Sequence, residues 1–318
     1  MPELPEVEFA RRSLVRWFDG RRLVRAESDP TVRTFRADEA SVPHAVAAKK
    51  FDRLTGTLER AERRGKYLML AFSDGNGVVA HLGMTGKFVK RPAGQAVNWS
   101  RARFVLDTTE VIHFSDPRMF GRIEPMAARA LRENAAIVAL GRDPLVDGLT
   151  TAQLREAVGP SKQDLKVALM DQGRITGLGN IHAAEALFRA KLHPGRLPGS
   201  LSDAEWEALK VGIDASLAFA LELQQGHDDI EYVEEPNAKN PFLIYGHEGE
   251  PCRVCTSTVA RFDQGGRSTF FCPACQVAPR GERKPAPKKV GAKKSPATKK
   301  KPTKQAAHPS TKPSKKRS

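Results

Sequence analysis

Residues 66–115 read KYLMLAFSDGNGVVAHLGMTGKFVKRPAGQAVNWSRARFVLDTTEVIHFS. Within this stretch KYLMLAF (66–72), GVVAHL (77–82), ARFVLD (102–107) and EVIHFS (110–115) are short β-rich runs separated by Gly, Asn and Asp turns. Runs of this length, bounded by residues that supply tight turns, are strands. Several in succession, from about Leu54 to Glu124, must bury their apolar faces against another layer or one another, so the stretch predicts a β-sandwich or barrel.

Upstream, Val7, Ala10, Leu14 and Trp17 recur at helical spacing from Pro5 onward, and Glu6 and Glu8 sit in the first turn, where the helix dipole favours acids. Downstream of Ala127 the pattern turns helical, in TAQLREAV (151–158), DLKVALMDQ (164–172), NIHAAEALFRA (180–190) and a long run from Ser202 to Gln225. Ser202 and Glu205 form the S-x-x-E pattern that starts a helix. The segment from Gln225 to Asn240 is polar and interrupted by proline, and there is no internal repeat. The expected fold class is α+β and multidomain: an N-terminal β-sandwich with its own helix (1–126), a helical domain (127–240), a small β-type metal module (241–279) and a disordered basic tail (280–318).

All four cysteines fall in that module, as CRVC at 252–255 and CPAC at 272–275 with sixteen residues between. Each CxxC sets two thiolates on one side of a tight turn, and two such turns facing each other make a closed tetrahedral site of four sulfurs for zinc. Disulfides are the alternative, disfavoured by a reducing compartment. Cys252, Cys255, Cys272 and Cys275 are therefore the expected ligands of one structural zinc ion.

The chain of 318 residues carries a formal charge of +15. Fourteen Lys and Arg against one acid, Glu282, put +13 of this in residues 281–318. That Lys, Pro, Ala, Ser and Thr tail cannot bury enough apolar surface to order itself, and reads as a solvated polycation or as an arm holding DNA phosphates. The rest of the chain is nearly neutral, so DNA binding there requires basic residues such as Arg63, Arg64, Lys66, Arg118 and Arg122 to gather on one face. No apolar run approaches bilayer-spanning length and MPELPEVE is unlike a secretory signal, so the expectation is a cytoplasmic, nucleoid-associated monomer without a membrane partner.

The opening MPELPEVE has a further reading. A small Pro2 after Met1 permits removal of the initiator and leaves a secondary amine at the terminus. When such an amine attacks an aldehyde-like sugar carbon it gives a charged iminium, an electron sink that eases loss of the neighbouring phosphate. Glu3 beside it offers a carboxyl for proton transfer.

Taken with RRGKYL (63–68), HLGMTG (81–86), DPRMFG (116–121), GLGNIHAAE (177–185), GEPCRVC (249–255) and GRSTFFCPAC (266–275), the chain resembles the formamidopyrimidine-DNA glycosylase and endonuclease VIII family over roughly residues 1–279. The resemblance implies a base excision repair enzyme that flips an oxidised purine, such as a formamidopyrimidine or 8-oxoguanine, out of duplex DNA. It would excise that base and nick the abasic site by β,δ-elimination. It implies Pro2 as Schiff-base nucleophile, Glu3 as the acid assisting base loss, Lys66 beside the phosphates of the damaged nucleotide, and Arg267 for phosphate binding and the δ-elimination step. It further implies a helix–two-turn–helix motif whose Asn180 grips phosphate, a weaker phosphate contact at Lys162, and a void-filling set. In that set Met84 enters the vacated space, Arg118 faces the widowed base and Phe120 wedges the step.

Three departures bear on specificity. His182 replaces a common tyrosine and is expected to face phosphate with a changed reach. Met119 replaces a frequent second arginine, and 226–246, GHDDIEYVEEPNAKNPFLIYG, lacks the Gly/Thr/Ser-rich loop that closes over an oxidised purine. An endonuclease VIII-like preference for oxidised pyrimidines is the first alternative. A non-enzymatic zinc-finger DNA-binding protein is the second, and it leaves Pro2 and Glu3 unexplained. His81, His113 and His182 have no metal-ligand spacing and are assigned no catalysis.

Overall fold

The computed structural model describes residues 2–29, 33–36, 43–235 and 238–278. The expected disordered tail, 280–318, lies outside the described residues.

The chain opens with helix α1 (Leu4–Phe18), strand β1 (Arg22–Ser28) and helix α2 (His44–Phe51). Strands β2 (Gly56–Arg64), β3 (Tyr67–Phe72), β4 (Asn76–His81), β5 (Lys87–Pro92), β6 (Ser100–Leu106), β7 (Glu110–Ser115) and β8 (Arg122–Ala127) follow. They pair in the order β5-β7-β6-β1-β2-β3-β4-β8, each neighbour antiparallel. The β1–β2 junction holds through only two positions, Arg22↔Thr57 and Leu23↔Gly56. About that narrow hinge the two halves of the sheet face each other, and Phe72 of β3 stacks on Phe104 of β6 at 6.3 Å between ring centroids. The result is a sandwich made from one folded sheet, filled by Phe18, Phe51, Leu68, Leu70, Phe72, Phe88, Phe104 and Phe114.

The expected strands are all present, and β1 joins from outside the expected stretch. Its RLVRAES buries only Leu23 and Ala26, too little to stand out as a strand by pattern. Likewise β2 is dominated by charge because its outer face is partly wet.

A 3-10 turn (Ala128–Glu133) and short helix α3 (Ala135–Val138) cover the outer face of β3 and β4. Helices α4 (Thr151–Val158), α5 (Leu165–Leu169), α6 (Asn180–Arg189) and α7 (Asp203–Leu223) then build a second core around Leu165, Leu169, Leu187, Trp206, Leu209 and Ile213. The side-chain oxygen of Ser202 accepts from the Glu205 amide at the start of α7, as the S-x-x-E pattern requires. A hairpin of β9 (Ala260–Gln264) and β10 (Arg267–Phe271) is flanked by the two cysteine pairs, and this module packs on Ala184 and Phe188 of α6. No helix among the described residues is long and apolar enough to cross a membrane.

Helix α1 belongs to both cores. Leu4 packs in the helical core while Val7, Ala10, Leu14, Trp17 and Phe18 pack in the sandwich. The Leu4 amide also donates to the Gly177 carbonyl at 3.0 Å. The N-terminal dipeptide Pro2-Glu3 is thereby pinned against the loop that opens α6.

Candidate active site and nucleic-acid interface

An α-helix leaves its first amides unpaired, and a carboxylate is their natural acceptor. At the start of α6 that acceptor is Glu3, which is fully buried. Its Oε2 receives the Gly179 amide at 2.8 Å and the His182 amide at 3.2 Å, and its Oε1 receives the Ile181 amide at 2.8 Å. Burial pushes the carboxyl up, but the Lys66 ammonium and these amides outweigh it and hold Glu3 below the ordinary carboxylate range. Lys66 follows the β2–β3 turn at Gly65, whose φ is +56°. Burial lowers the Lys66 ammonium, Glu3 pulls it back up, and the nearby Arg267 charge lowers it further.

Gly179 is where these groups meet. A Cβ there would lie 2.6 Å from the Lys66 Nζ and collide with the Glu3 carboxylate, so only glycine fits. Pro2 is buried immediately ahead of Glu3. Thus Pro2, Glu3, Lys66 and the start of α6 form one site, and Arg267, exposed at the head of β10, is close enough for its charge to act on Lys66.

Asn180 and Lys162 are used differently. Asn180 is buried, with Oδ1 accepting from Lys166 Nζ at 2.6 Å and Nδ2 donating to the Ser268 carbonyl at 3.1 Å. Its amide group also donates to the Tyr245 hydroxyl oxygen, so the side chain is held within the protein. Lys162 stands exposed ahead of α5. Lys166, which sequence reasoning missed, is fully buried and also donates to Thr269 Oγ1 at 2.8 Å and to the Ser268 carbonyl at 3.1 Å. It ties α5 and α6 to the zinc hairpin, and burial with the Arg267 charge lowers its ammonium to about 8. Its signal was a lysine inside the apolar run LKVAL.

The DNA-facing candidates lie on two loops. Met84 is half-buried between β4 and β5, and Arg118 and Phe120 are exposed between β7 and β8, with the Arg118 guanidinium 5.0 Å from the Phe120 ring centroid. Asp116, fully buried, joins the loops by accepting from Thr85 Oγ1 at 2.7 Å and from the Gly121 amide at 2.7 Å. Phe120 is 52% exposed and Met119 46%, a large apolar surface with charge beside it.

Not every expected cation reaches that face. Arg63 is buried, with Nη1 2.6 Å from Asp143 and Nε 3.3 Å from Glu8, and Arg64 pairs with Asp147 at 2.6 Å. These two brace the sandwich against the segment leading to α4. His182 also needs correction: it is fully buried, with Nδ1 2.8 Å from Ser216 Oγ of α7, and is turned into the helical packing instead of standing on the surface. The reason is that α7 packs along this side of α6 and turns the ring inward. His81 accepts the Gly83 amide on Nδ1 at 3.0 Å, and burial, then Lys66 and Arg122, lower it to about 4.

The four cysteine sulfurs lie within 4.8 Å of one another, with Cys252–Cys275 at 4.0 Å and Cys255–Cys272 at 3.4 Å. A tetrahedral zinc with Zn–S of about 2.3 Å has sulfur–sulfur edges near ~3.8 Å, so the four thiolates fit one ion and form a structural zinc site. Amides of Val254 and Cys275 point at Cys252 and Cys272 sulfur, each at 3.4 Å, as suits thiolate acceptors. The metal closes the module that presents Arg267 and leaves no open position for a reacting water.

Comparison with known proteins agrees with this geometry. Residues 1–123 match the formamidopyrimidine-DNA glycosylase N-terminal domain, 140–231 its H2TH domain, and 249–277 the zinc finger found in FPG and IleRS. The formamidopyrimidine-DNA glycosylase of Desulfitobacterium hafniense is 35% identical over 283 residues, spanning 87% of this chain and 100% of the relative. The chain belongs to the formamidopyrimidine-DNA glycosylase family. Members of this family are DNA glycosylases with an AP lyase activity, and base excision repair of oxidised bases is their work. The MutM (Fpg) protein of Thermus thermophilus is 34% identical, with a TM-score of 0.70 over 86% of this chain and 98% of that one. Lactococcus lactis Fpg has been solved with DNA containing an abasic site (25% identical) and with DNA containing an oxidised pyrimidine (26%). Both superpose with a TM-score of 0.74 over 87% of this chain and all of that one.

Proposed function

We propose that this glycosylase excises oxidised purines from duplex DNA through Pro2 and then nicks the abasic strand, working as a monomer. The observation that carries the reading is Glu3, a buried carboxylate on the α6 amides with Lys66 beside it, directly behind Pro2. All the groups the chemistry needs come from one chain, which is why one copy suffices.

With the initiator removed, the Pro2 nitrogen adds to C1′ of the damaged nucleoside. The glycosidic bond breaks, its electron pair leaves with the base, and the base takes a proton. Glu3 is ionised at neutral pH, so it first acts as an acceptor for the proton Pro2 must shed, and only then has a proton to return to the sugar or base. The C1′–O4′ bond of the sugar then breaks, O4′ taking a proton as the ring opens, and the negative charge of Glu3 stabilises the iminium formed between C1′ and the Pro2 nitrogen. Loss of the C2′ proton then expels the 3′ phosphate, and a second elimination expels the 5′ phosphate. Lys66 and Arg267 are the cations that meet the phosphate charge as it accumulates, and Asn180 helps grip the strand at the start of α6. Met84, Arg118 and Phe120 fill the gap left by the extruded base, and Lys162 makes an outlying phosphate contact.

Beside Glu6 a cavity of about 250 Å³, lined also by Ile181, Gln224, Tyr232 and Phe242 among others, is the room we assign to that base. The second reading, oxidised pyrimidines, is favoured by the acidic Asp229, Glu231 and Glu234 that line it and by the bound lesion in the Lactococcus relative.

The test is a panel of duplexes with borohydride present. A duplex with 8-oxoguanine opposite cytosine is expected to be cut and to trap the protein covalently. Cutting confined to thymine glycol or dihydrouracil would move the protein to the pyrimidine reading, and binding without trapping would leave only the zinc-finger DNA-binding alternative.

A further inference from the structure

The segment after α7 is the chain's clearest departure from its family pattern, and its described part is fastened across the molecule to the sandwich. Asp229 pairs with Arg91 of β5, with Oδ1 3.1 Å from Nη1, and Glu235 pairs with Lys87 of β5 at 2.9 Å. Between them Tyr232, buried at 4% exposure, donates its hydroxyl to the Gly86 carbonyl at 2.6 Å. Gly86 is two residues from Met84 and is itself wedged against Phe114, where a Cβ would come within 2.7 Å of the ring. Tyr232 also lines the cavity beside Glu6, as do Ile230 and Glu234.

One side chain therefore touches both halves of the extrusion problem. Its ring walls the space an extruded base would enter, and its hydroxyl holds the loop that would fill the space the base leaves. Burial raises the phenol well above its ordinary range, and the charges of Glu6, Glu235, Asp116 and Glu234 raise it further, so it stays protonated and a donor. Two of those acids belong to the site itself: Glu6 accepts the Glu3 amide at 2.8 Å, and Asp116 fixes the Arg118–Phe120 loop.

We propose that Tyr232 is a positioning residue for base extrusion: clamped by the Arg91–Asp229 and Lys87–Glu235 ion pairs, it fixes the Met84 loop to the wall of the base cavity, so that base entry and gap filling occur as one step. This rests on the reading of Met84 and the cavity given under Proposed function. The ion pairs are partly exposed, and each contributes little to stability alone. Their use is in holding register, since the hydroxyl must meet a backbone carbonyl on a separate element.

An abasic site has no base to unstack, so a loss of coupling falls on excision and spares strand nicking. Removing one buried hydrogen bond with its ring retained, Tyr232→Phe, is expected to slow single-turnover excision of 8-oxoguanine about tenfold. Nicking of a preformed abasic duplex, borohydride trapping and melting temperature should stay within about twofold or a few degrees. Arg91→Asp should show the same selective loss, and adding Asp229→Arg should restore excision. Equal loss of excision and nicking, or no loss of either, would overturn the positioning role, as would a double variant no better than Arg91→Asp. If wild-type protein neither cuts nor traps any lesion duplex, the failure lies in the reading beneath, and this inference falls with it.

Discussion

The Glu3 end of α1 and the Arg118–Phe120 loop sit in one protein and are built on opposite principles. At Glu3 the carboxylate is buried on three amides and Gly179 leaves no room for a side chain. At Phe120 half the ring is in water, Arg118 lies over it, and only Asp116 beneath is fully engaged. The first arrangement suits chemistry, because charges fixed in advance cost nothing to reorganise when a bond breaks. The second suits a partner that must be displaced and replaced, because exposed apolar surface gains most from being covered.

The sharpest way to break this contrast is Glu3→Gln. The amide keeps the shape but loses the charge and turns an N–H toward the α6 donors. Single-turnover excision should fall about a thousandfold, and stability by roughly 2 kcal/mol. A loss under tenfold would mean Glu3 is merely the cap of α6. Because its folded pKa lies below the ordinary value, the stability Glu3 adds is present above the ordinary carboxylate range and is lost as pH falls through the lowered one.

Lys166→Met should come next, at about 3 kcal/mol, since it strips a buried cation from Asn180, Ser268 and Thr269. Its folded pKa of about 8 lies below that of a free lysine, 10.5, so the unfolded chain binds more protons between those values. Wild-type stability should therefore gain from this group as pH rises from about 8 to 10.5, and the variant should lack that gain. Chemical denaturation across this range, with zinc content measured, checks both; an unchanged pH profile would show that Lys166 is not the group titrating.

Phe120→Ala is the mildest case and tests the exposed side. Stability should move by no more than about 0.5 kcal/mol, while excision from duplex falls about tenfold through the lost wedge. A variant that melted much earlier yet excised normally would make Phe120 a packing residue and dissolve the contrast.

Much of the site was legible as local pattern. Two CxxC pairs, Pro2-Glu3 at the terminus and the HLGMTG and DPRMFG loops each carry their chemistry within a few residues, and the strands announced themselves by short apolar runs between turns. The sequence left the place of Arg63 open and set His182 facing phosphate for one physical reason: a charged or polar residue looks solvent-facing until the element that buries it is placed. Arg63 meets Asp143, eighty residues on, and His182 meets Ser216 of α7. Lys166 was passed over because its partners belong to a hairpin a hundred residues away and to another helix of its own domain.

From the sequence alone came the kinds of group present: a proline directly after the initiator, its carboxyl neighbour, a four-thiolate metal site and loops carrying an aromatic and a cation. Tertiary structure decided which of them meet. Glu3 becomes a lasting carboxylate only because α6 points its unpaired amides at it, and Tyr232 reaches Gly86 only because the segment after α7 folds back onto β5. Such contacts depend on long-range burial and on the direction of helix ends, and neither is encoded within any short stretch of residues.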